Sequence, residues 1–190
     1  MFTTETTCTT LLTPQDGNVA DVLAELIGSA SSAVRFIIYG ATHPKFFDAL
    51  AAAHGRGVDV RGIFDHTQAC GPKEAAQLHR LFLAVPAERF RIGTSEVGHQ
   101  IVHLKGCWIN YAGPADAQKV AGQFGTWQEA AAGCCPVTWS GSWNYSESAS
   151  AQVNNVDIMP GICRAQAFQA AFDALWSFIE QHEQGYQRAS

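Results

Sequence analysis

Positive charge is scarce in this sequence. Twelve Lys and Arg stand against seventeen Asp and Glu, a formal charge of -5, which excludes a protein that coats nucleic acid through bulk positive charge but leaves room for a local basic site. Charged residues of both signs together reach only 15%, too few for a disordered chain or a coiled coil. Long apolar runs are missing as well, since no stretch approaches the roughly 18 residues of a membrane span. The Thr-rich start from Met1 to Pro14 lacks the basic and apolar regions of a signal peptide. These absences predict a cytoplasmic chain with no stable membrane insertion. The six cysteines (Cys8, Cys70, Cys107, Cys134, Cys135 and Cys163) contain no CxxC pair and no Cys/His array at zinc spacing. They read as reduced thiols, without a disulfide framework or a metal site. No internal repeat is present.

What is there suits a single domain. The chain has 190 residues, 47% of them apolar, enough to bury one core. Phe2 to Leu12 is β-prone, a Pro14–Gly17 turn follows, and Asn18 to Ala30 carries Val19, Val22, Leu23, Leu26 and Ile27 at helical spacing. Val34 to Tyr39 and Val58 to Phe64 are apolar runs of the buried-strand type. Between them a helix capped by Thr42 carries Phe46, Phe47, Leu50 and Ala53. Pro72 opens a third helix, and Arg89 to Ile92 is a short strand, so the first half predicts a βαβαβαβ series. The second half offers short strands at Gln100–His103, Cys107–Asn110, Val137–Ser140 and Val156–Met159. A last helix from Arg164 to His182 turns one face of Phe168, Ala171, Phe172, Leu175, Trp176 and Ile179 inward. The expected fold class is α/β, a mixed β-sheet flanked by helices.

Two short motifs carry the chemistry. His103-Leu104-Lys105 is an HxK that strand alternation would point toward one face, and Ser140-Gly141-Ser142-Trp143-Asn144 follows a later strand. Each residue alone reads blandly: a strand His packs or is solvated, an Asn after Gly-Ser makes a turn, and a Lys is a solvated charge. HxK by itself is also common, since His43-Pro44-Lys45 matches it at a helix start. The ordered set is far more specific. With the Gly55-Arg56-Gly57-Val58 turn and the strand end Phe64-Asp65-His66-Thr67-Gln68, HxK followed by GSxN resembles the phospholipase D superfamily from about Leu12 to Trp176.

The resemblance implies phosphodiester chemistry, with a nucleophile, an acid for the leaving oxygen, and donors to hold charge on the phosphoryl oxygens. It assigns His103, Lys105 and Asn144 as catalytic, with no metal and no cofactor. Ser142 is a supporting residue, and His66 and Trp143 are candidate substrate contacts. Asn110 stands five residues after Lys105, where the motif carries an Asp. The acidic residue expected about eleven after Asn144 falls at Asn155. The group that orients His103 is left open among Gln152, Asn154, Asn155 and Asp157. The 35 residues between Lys105 and Gly141 imply an insertion at about 111–136 within one domain spanning 1–190. The family mechanism uses two histidines, one forming a phosphohistidine and the other protonating the leaving group, whereas this chain has one HxK with one GSxN. That copy number implies a homodimer with one shared site, as in the small bacterial endonucleases of the superfamily.

Among substrates, the resemblance favours nucleic acid, because single-motif members resemble nucleases. Lys105, Lys73, Arg56, Arg61, Arg89 and Arg91 are the candidate phosphate-binding cations, the last four equally suited to structural or solvated roles. Tyr111, Phe124 and Trp127 of the insertion are candidates to stack bases. A lipid phosphodiesterase is the alternative enzyme, with Trp127, Trp139 and Trp143 as candidates for an apolar lip. A nucleic-acid-binding or assembly module with lapsed chemistry is the reading from another class, motivated by Asn110 and the missing acidic residue.

Overall fold

Ala33–Ile38 (β2) is buried along its whole length, as a strand covered on both faces must be. The rest of a seven-stranded sheet is laid out around it in the computed structural model, which describes residues 8–119 and 124–182. On one side β3 (Asp59–Asp65) and β4 (Phe90–Gly93) run parallel to β2. On the other side, β5 (Lys105–Ile109), β6 (Val137–Gly141), β7 (Asn154–Pro160) and β1 (Thr9–Thr13) pair antiparallel in succession. The strand order is therefore β1-β7-β6-β5-β2-β3-β4. The expected mixed α/β sheet is what forms. Residues 2–7 of the expected first strand and the tail beyond 182 lie outside the described residues.

The helices divide between the two faces. Helices α1 (Val19–Gly28), α2 (Pro44–Gly55) and, after a short α3 (His66–Ala69), α4 (Pro72–Ala84) cover one of them. They bury Leu23, Leu26, Phe46, Phe47, Leu50, Leu78 and Leu81 against Val34, Phe36, Val60 and Phe64. In the second half, α5 (Trp127–Ala132) precedes β6 and α6 (Glu147–Ser150) follows it. The opposite face is covered by α7 (Ile162–His182), whose Ala165, Phe172 and Ile179 meet Ile37, Ile63 and Trp108. Phe168 of α7 crosses β5 where a Cβ on Gly106 would stand 2.3 Å from its ring, so glycine is what admits the helix. Helix α2 starts later than expected, with His43 accepting from the Lys45 N–H as cap and Pro44 in the first turn, in place of a Thr42 cap. Ala171 is exposed, because the buried stripe on α7 recurs at seven-residue spacing (165, 172, 179) and passes 171 by. Among the described residues no helix is long and apolar enough to cross a membrane.

The segment after Asn110, expected as an insertion, packs on this core in its described residues. It holds a 3-10 turn (Pro114–Lys119) and α5, which begins with a capping box formed by Thr126 and Glu129. Tyr111 and Trp127 are 2% and 3% exposed, and Phe124 packs on the core and over Gly133. The three aromatics expected to stack bases are therefore packing residues.

Asn110, in the place of the motif Asp, ends β5 at φ 60, the left-handed region in which Asn is tolerated best after glycine. Its buried Oδ1 accepts from Ser31 N, Ser31 Oγ and Ser32 N, and its Nδ2 donates to the Cys135 carbonyl. The residue ties β5 to the start of β2, about 17 Å along the strand from Lys105 at ~3.4 Å per residue. Asn110→Ala strands those donors and strains the backbone. We expect a loss of about 2–3 kcal/mol in urea denaturation, while a loss under about 0.5 kcal/mol would mean that water replaces the amide.

Candidate active site

The HxK and GSxN motifs meet at one end of the sheet because Ile38 pairs with Lys105 and Gly106 with Ser140. This is also the C-terminal end of the parallel strands, where open α/β sheets receive ligands. Lys105, the first residue of β5, is only 6% exposed. His103 is exposed, in a segment that is not the short Gln100–His103 strand expected from sequence. A shared strand face therefore does not unite the pair. Instead the Lys105 side chain turns back, its Nζ donating to His103 Nε2 at 2.9 Å and to the His103 carbonyl at 3.1 Å. An ammonium has no acceptor, so Nε2 is the acceptor when it meets one. Burial lowers the Lys105 pKa from its ordinary value.

Backbone bonds fix this segment on both sides. Val102 N–H donates to Oδ2 of fully buried Asp65 at 2.7 Å, and Tyr39 N–H donates to the Leu104 carbonyl at 2.9 Å. The other oxygen of Asp65 accepts from Gln68 N–H at 3.1 Å and caps α3. The Tyr39 ring lies 4.7 Å from the His103 ring and 5.1 Å from Lys105 Nζ, while its hydroxyl accepts from Gln68 Nε2 at 3.0 Å.

The GSxN turn is held just as closely. A Cβ on Gly141 would stand 2.1 Å from the Asn155 carbonyl oxygen, so glycine alone lets β6 and β7 close at this point. Ser142 supports the turn: its Oγ donates to Asn154 Oδ1 and accepts from Asn155 N–H, both at 3.1 Å. Trp143 is completely buried against Tyr145; it is no surface contact for a substrate, which corrects its expected role. Asn144 is half-buried, and its Oδ1 is buried with no hydrogen-bond partner. That oxygen lies 3.6 Å from where a Cβ on Gly40 would be. Tyr145, next in sequence, donates to the Gly40 carbonyl and accepts from Thr42 and His43 N–H. Asn144 thus abuts Gly40, and the His103–Lys105 pair abuts Tyr39, its neighbour in the chain.

The four candidates to orient His103 have other partners. Asn154 binds Ser142 and the Ala149 carbonyl, Asn155 donates to Asp157, and Asp157 accepts from Thr10. Gln152 is exposed, and its carbonyl accepts from Thr13. Among the described residues, the imidazole of His103 meets Lys105 and Tyr39. His66 begins α3 at this same end, half-buried, with Nε2 3.3 Å from Cys70 Sγ. Four cations considered for phosphate binding are engaged in the fold. Arg61 and Arg89 bind Asp59, Arg56 donates to the carbonyl of Gly28, and Arg91 pairs with Glu180 beneath Trp176. Among the described residues no group of three or more His, Cys, Asp or Glu is gathered to hold a metal ion. Sequence reasoning missed Tyr39, Asp65, Gln68 and Glu74. Asp65 was readable as a helix cap at a strand end, whereas Tyr39 looked like the last residue of an apolar run.

A histidine and a lysine at the head of one strand thus lie at the same end of the sheet as a GSxN turn at the foot of the next. The sequence matches the family described as cardiolipin synthase, PLD-like domain, over residues 23–176, and the chain belongs to that family of phospholipase D-like domains. No curated protein matches it. Its fold is similar to that of Nuc from Salmonella typhimurium, a phospholipase D family member, at 20% identity over 90% of this chain and 95% of that one, with a TM-score of 0.64. It is similar too to NucT from Helicobacter pylori, at 16% identity over 91% and 97% of the two chains, with a TM-score of 0.67. Phosphatidylserine synthase from Haemophilus influenzae shares 12% identity and a TM-score of 0.55, with 92% of this chain and 39% of that one covered.

Behind the site, Glu74 of α4 is 2% exposed and accepts from Ala41 N–H at 2.8 Å. It braces the segment on which the GSxN turn rests. Burial pushes its carboxyl up from 4.5 to about 8, opposed by the Ala41 bond and reinforced by the charge of Asp65. The raised acid is protonated in the folded state where the unfolded chain has lost its proton. Its contribution is therefore complete below about 4.5 and is lost as the pH rises toward about 8, at up to about 1.4 kcal/mol per pH unit. Glu74→Gln keeps the acceptor for Ala41 and removes the titration. Thermal melts should show the variant gaining on wild type from about pH 5 to about pH 8; a constant difference would mean that Glu74 is ionised in the fold.

Proposed function

We propose that the protein is a metal-independent phosphodiesterase that hydrolyses nucleic-acid phosphodiester bonds through a phosphohistidine, at a site shared by two copies of the chain. The observation that carries this reading is the contact of Lys105 Nζ with His103 Nε2 beside the GSxN turn. In the resting site the ammonium holds the ring nitrogen that attacks. An arriving phosphate draws Lys105 onto a non-bridging oxygen, which frees the Nε2 lone pair and neutralises charge on the phosphoryl group. A phosphorus–nitrogen bond then forms as the bond to the leaving oxygen breaks, and the His103 of a second copy gives that oxygen its proton. In the second half water attacks the phosphohistidine, the phosphorus–nitrogen bond breaks to release His103 as neutral imidazole, and the proton of the water returns to the second histidine.

Several observations support the finer choices. The chain spans nearly the whole of Nuc and NucT but a minor part of phosphatidylserine synthase, which favours a one-motif protein acting as a pair. Ile101 and Leu104, 45% and 38% exposed, flank His103 and suit a face covered by the second copy. These residues also keep the lipid reading as the second one, although Trp127, Trp139 and Trp143, its expected lip, are all buried. The lapsed-module reading loses one of its motives, because Asn110 has its own work at the far end of β5.

Cleavage of a labelled oligonucleotide in excess EDTA, compared with release of headgroup from phosphatidylcholine vesicles, tests the substrate and the mechanism together. We expect the oligonucleotide to be cut and the vesicles spared; activity that EDTA removes and magnesium restores would overturn the mechanism. His103→Ala should abolish turnover, and heterodimers of that variant with wild type should be nearly inactive, whereas a fully active monomer would overturn the shared site.

Lys105→Ala and Asn144→Ala remove one donor each from the phosphate. Each should lower turnover about 100- to 1000-fold, the weight of one oxyanion-hole donor. Wild-type turnover in either variant would show that its side chain does not reach the phosphate.

A further inference from the structure

Something must hold the imidazole of His103, an exposed side chain on a segment outside the sheet. The four residues that the family pattern suggested for this task bind Ser142, Ala149, Asp157 and Thr10 or point to solvent. We propose that Tyr39 is the positioning residue for His103 and Lys105, with its ring as the platform and Gln68 as the anchor of its hydroxyl. The inference rests on the reading of His103 as the nucleophile.

The geometry makes this a built arrangement. The two rings are 4.7 Å apart between centroids and inclined at 60°, a tilted aromatic contact. Lys105 Nζ lies 5.1 Å from the centre of the same ring, within the roughly 6 Å at which an ammonium is drawn to an aromatic face. Tyr39 is therefore one support for both partners of the Lys–His contact. The residue is held at two points, since its backbone N–H donates to the Leu104 carbonyl at 2.9 Å, between His103 and Lys105, and its hydroxyl accepts from Gln68 at 3.0 Å. Gln68 is in turn fixed by its own N–H on Asp65, the carboxylate that binds Val102 just before His103. The path closes on itself: strand end, helix cap, amide, ring and imidazole are joined by contacts that do not involve substrate. When Lys105 moves to a phosphate oxygen, the ring contact keeps the imidazole aimed after its hydrogen bond is gone.

A positioning role predicts a split between chemistry and binding. Tyr39→Leu removes the platform and should lower kcat about 10- to 100-fold, the scale of a reacting group misplaced by about 1 Å, with KM nearly unchanged. Tyr39→Phe and Gln68→Ala break the same hydrogen bond. Each should lower kcat by about five-fold at most, and the double variant should be no worse than either single one. Activity is read on bis(4-nitrophenyl) phosphate as well as on an oligonucleotide. A second readout is independent of turnover: the ring protons of His103, identified by their absence in His103→Gln, should carry an upfield ring-current shift that the Tyr39→Phe variant retains and the Tyr39→Leu variant loses. Unchanged ring shifts in Tyr39→Leu, or wild-type kcat in it, would overturn the proposal. So would Gln68→Ala losing far more than Tyr39→Phe. If no phosphodiester is cleaved, the reading of the site as a phosphodiesterase fails, and the ring shifts alone decide whether Tyr39 positions His103. If Tyr39→Leu does not fold, the Tyr39→Phe and Gln68→Ala pair decides it.

Discussion

The antiparallel pairing of β5 with β2 is the constraint on which the site depends. Its register sets Lys105 against Ile38 and Ile109 against Val34. Reversing the strand direction at this point delivers the head of β5 to the end of the sheet where the parallel strands finish. β6, antiparallel again, brings its own foot to the same end. A parallel β5 would have sent Lys105 to the end where Asn110 now stands. Strand direction alternates side-chain faces as well as ends, and a slip of one residue would exchange the inward and outward sets of β5. Cys107 and Ile109 pack with α1 and α2, while Trp108 packs on α7. Burial on both faces therefore makes the register costly to change, and the position of the site inherits that cost.

Much of this was legible in the sequence, because each cue came from a single local interaction. Buried strands declared themselves as apolar runs at 34–39 and 58–64, and Pro72 marked the start of a helix that begins where it stands. The GSxN turn was readable because glycine at 141 answers a backbone contact, and so was the nearness of His103 to Lys105. The means of that pairing was misread. Alternation along a strand was expected to align the two side chains, but the strand begins only at Lys105. The flexible lysine stem closes the gap instead. Tyr39 and Glu74 escaped notice for a related reason, since their roles come from long-range packing: one ends an apolar run and the other sits in a polar first turn of α4. No spacing rule reports a carboxyl that burial keeps neutral or a ring that lies beside a histidine from another segment.

Charge distribution narrows how the site can treat an anionic substrate. Asp59 gathers Arg35, Arg61 and Arg89 at the start of β3, the end of the sheet remote from His103. Lys45 is paired with Asp21 and Arg80 with Asp48. Long-range attraction from these cations is largely cancelled within their own pairs. An acidic chain that has committed these arginines in this way draws little of a polyanion's attraction from them. On the proposed reading, recognition then falls on short-range groups: the Lys105 ammonium, the amide of Asn144 and the backbone of the GSxN turn.

Those groups work at short range because the site is stiff where it must be. Carboxylates bearing backbone N–H bonds are strong local fasteners, and Asp65 carries two of them, one to the His103 segment and one to α3. Glu74, its carboxyl pushed up to about 8 by burial, adds a third carboxyl tie, to Ala41, behind the candidate site. Both oxygens of Asp65 accept backbone N–H bonds, whereas one oxygen of Glu74 has no hydrogen-bond partner. A site that depends on one buried lysine to meet a phosphate is better served by a neutral acid than by an ionised one behind it. Burying Glu74 uncharged costs stability as the pH rises above about 4.5, and on the proposed reading it leaves the positive charge of Lys105 available to the substrate.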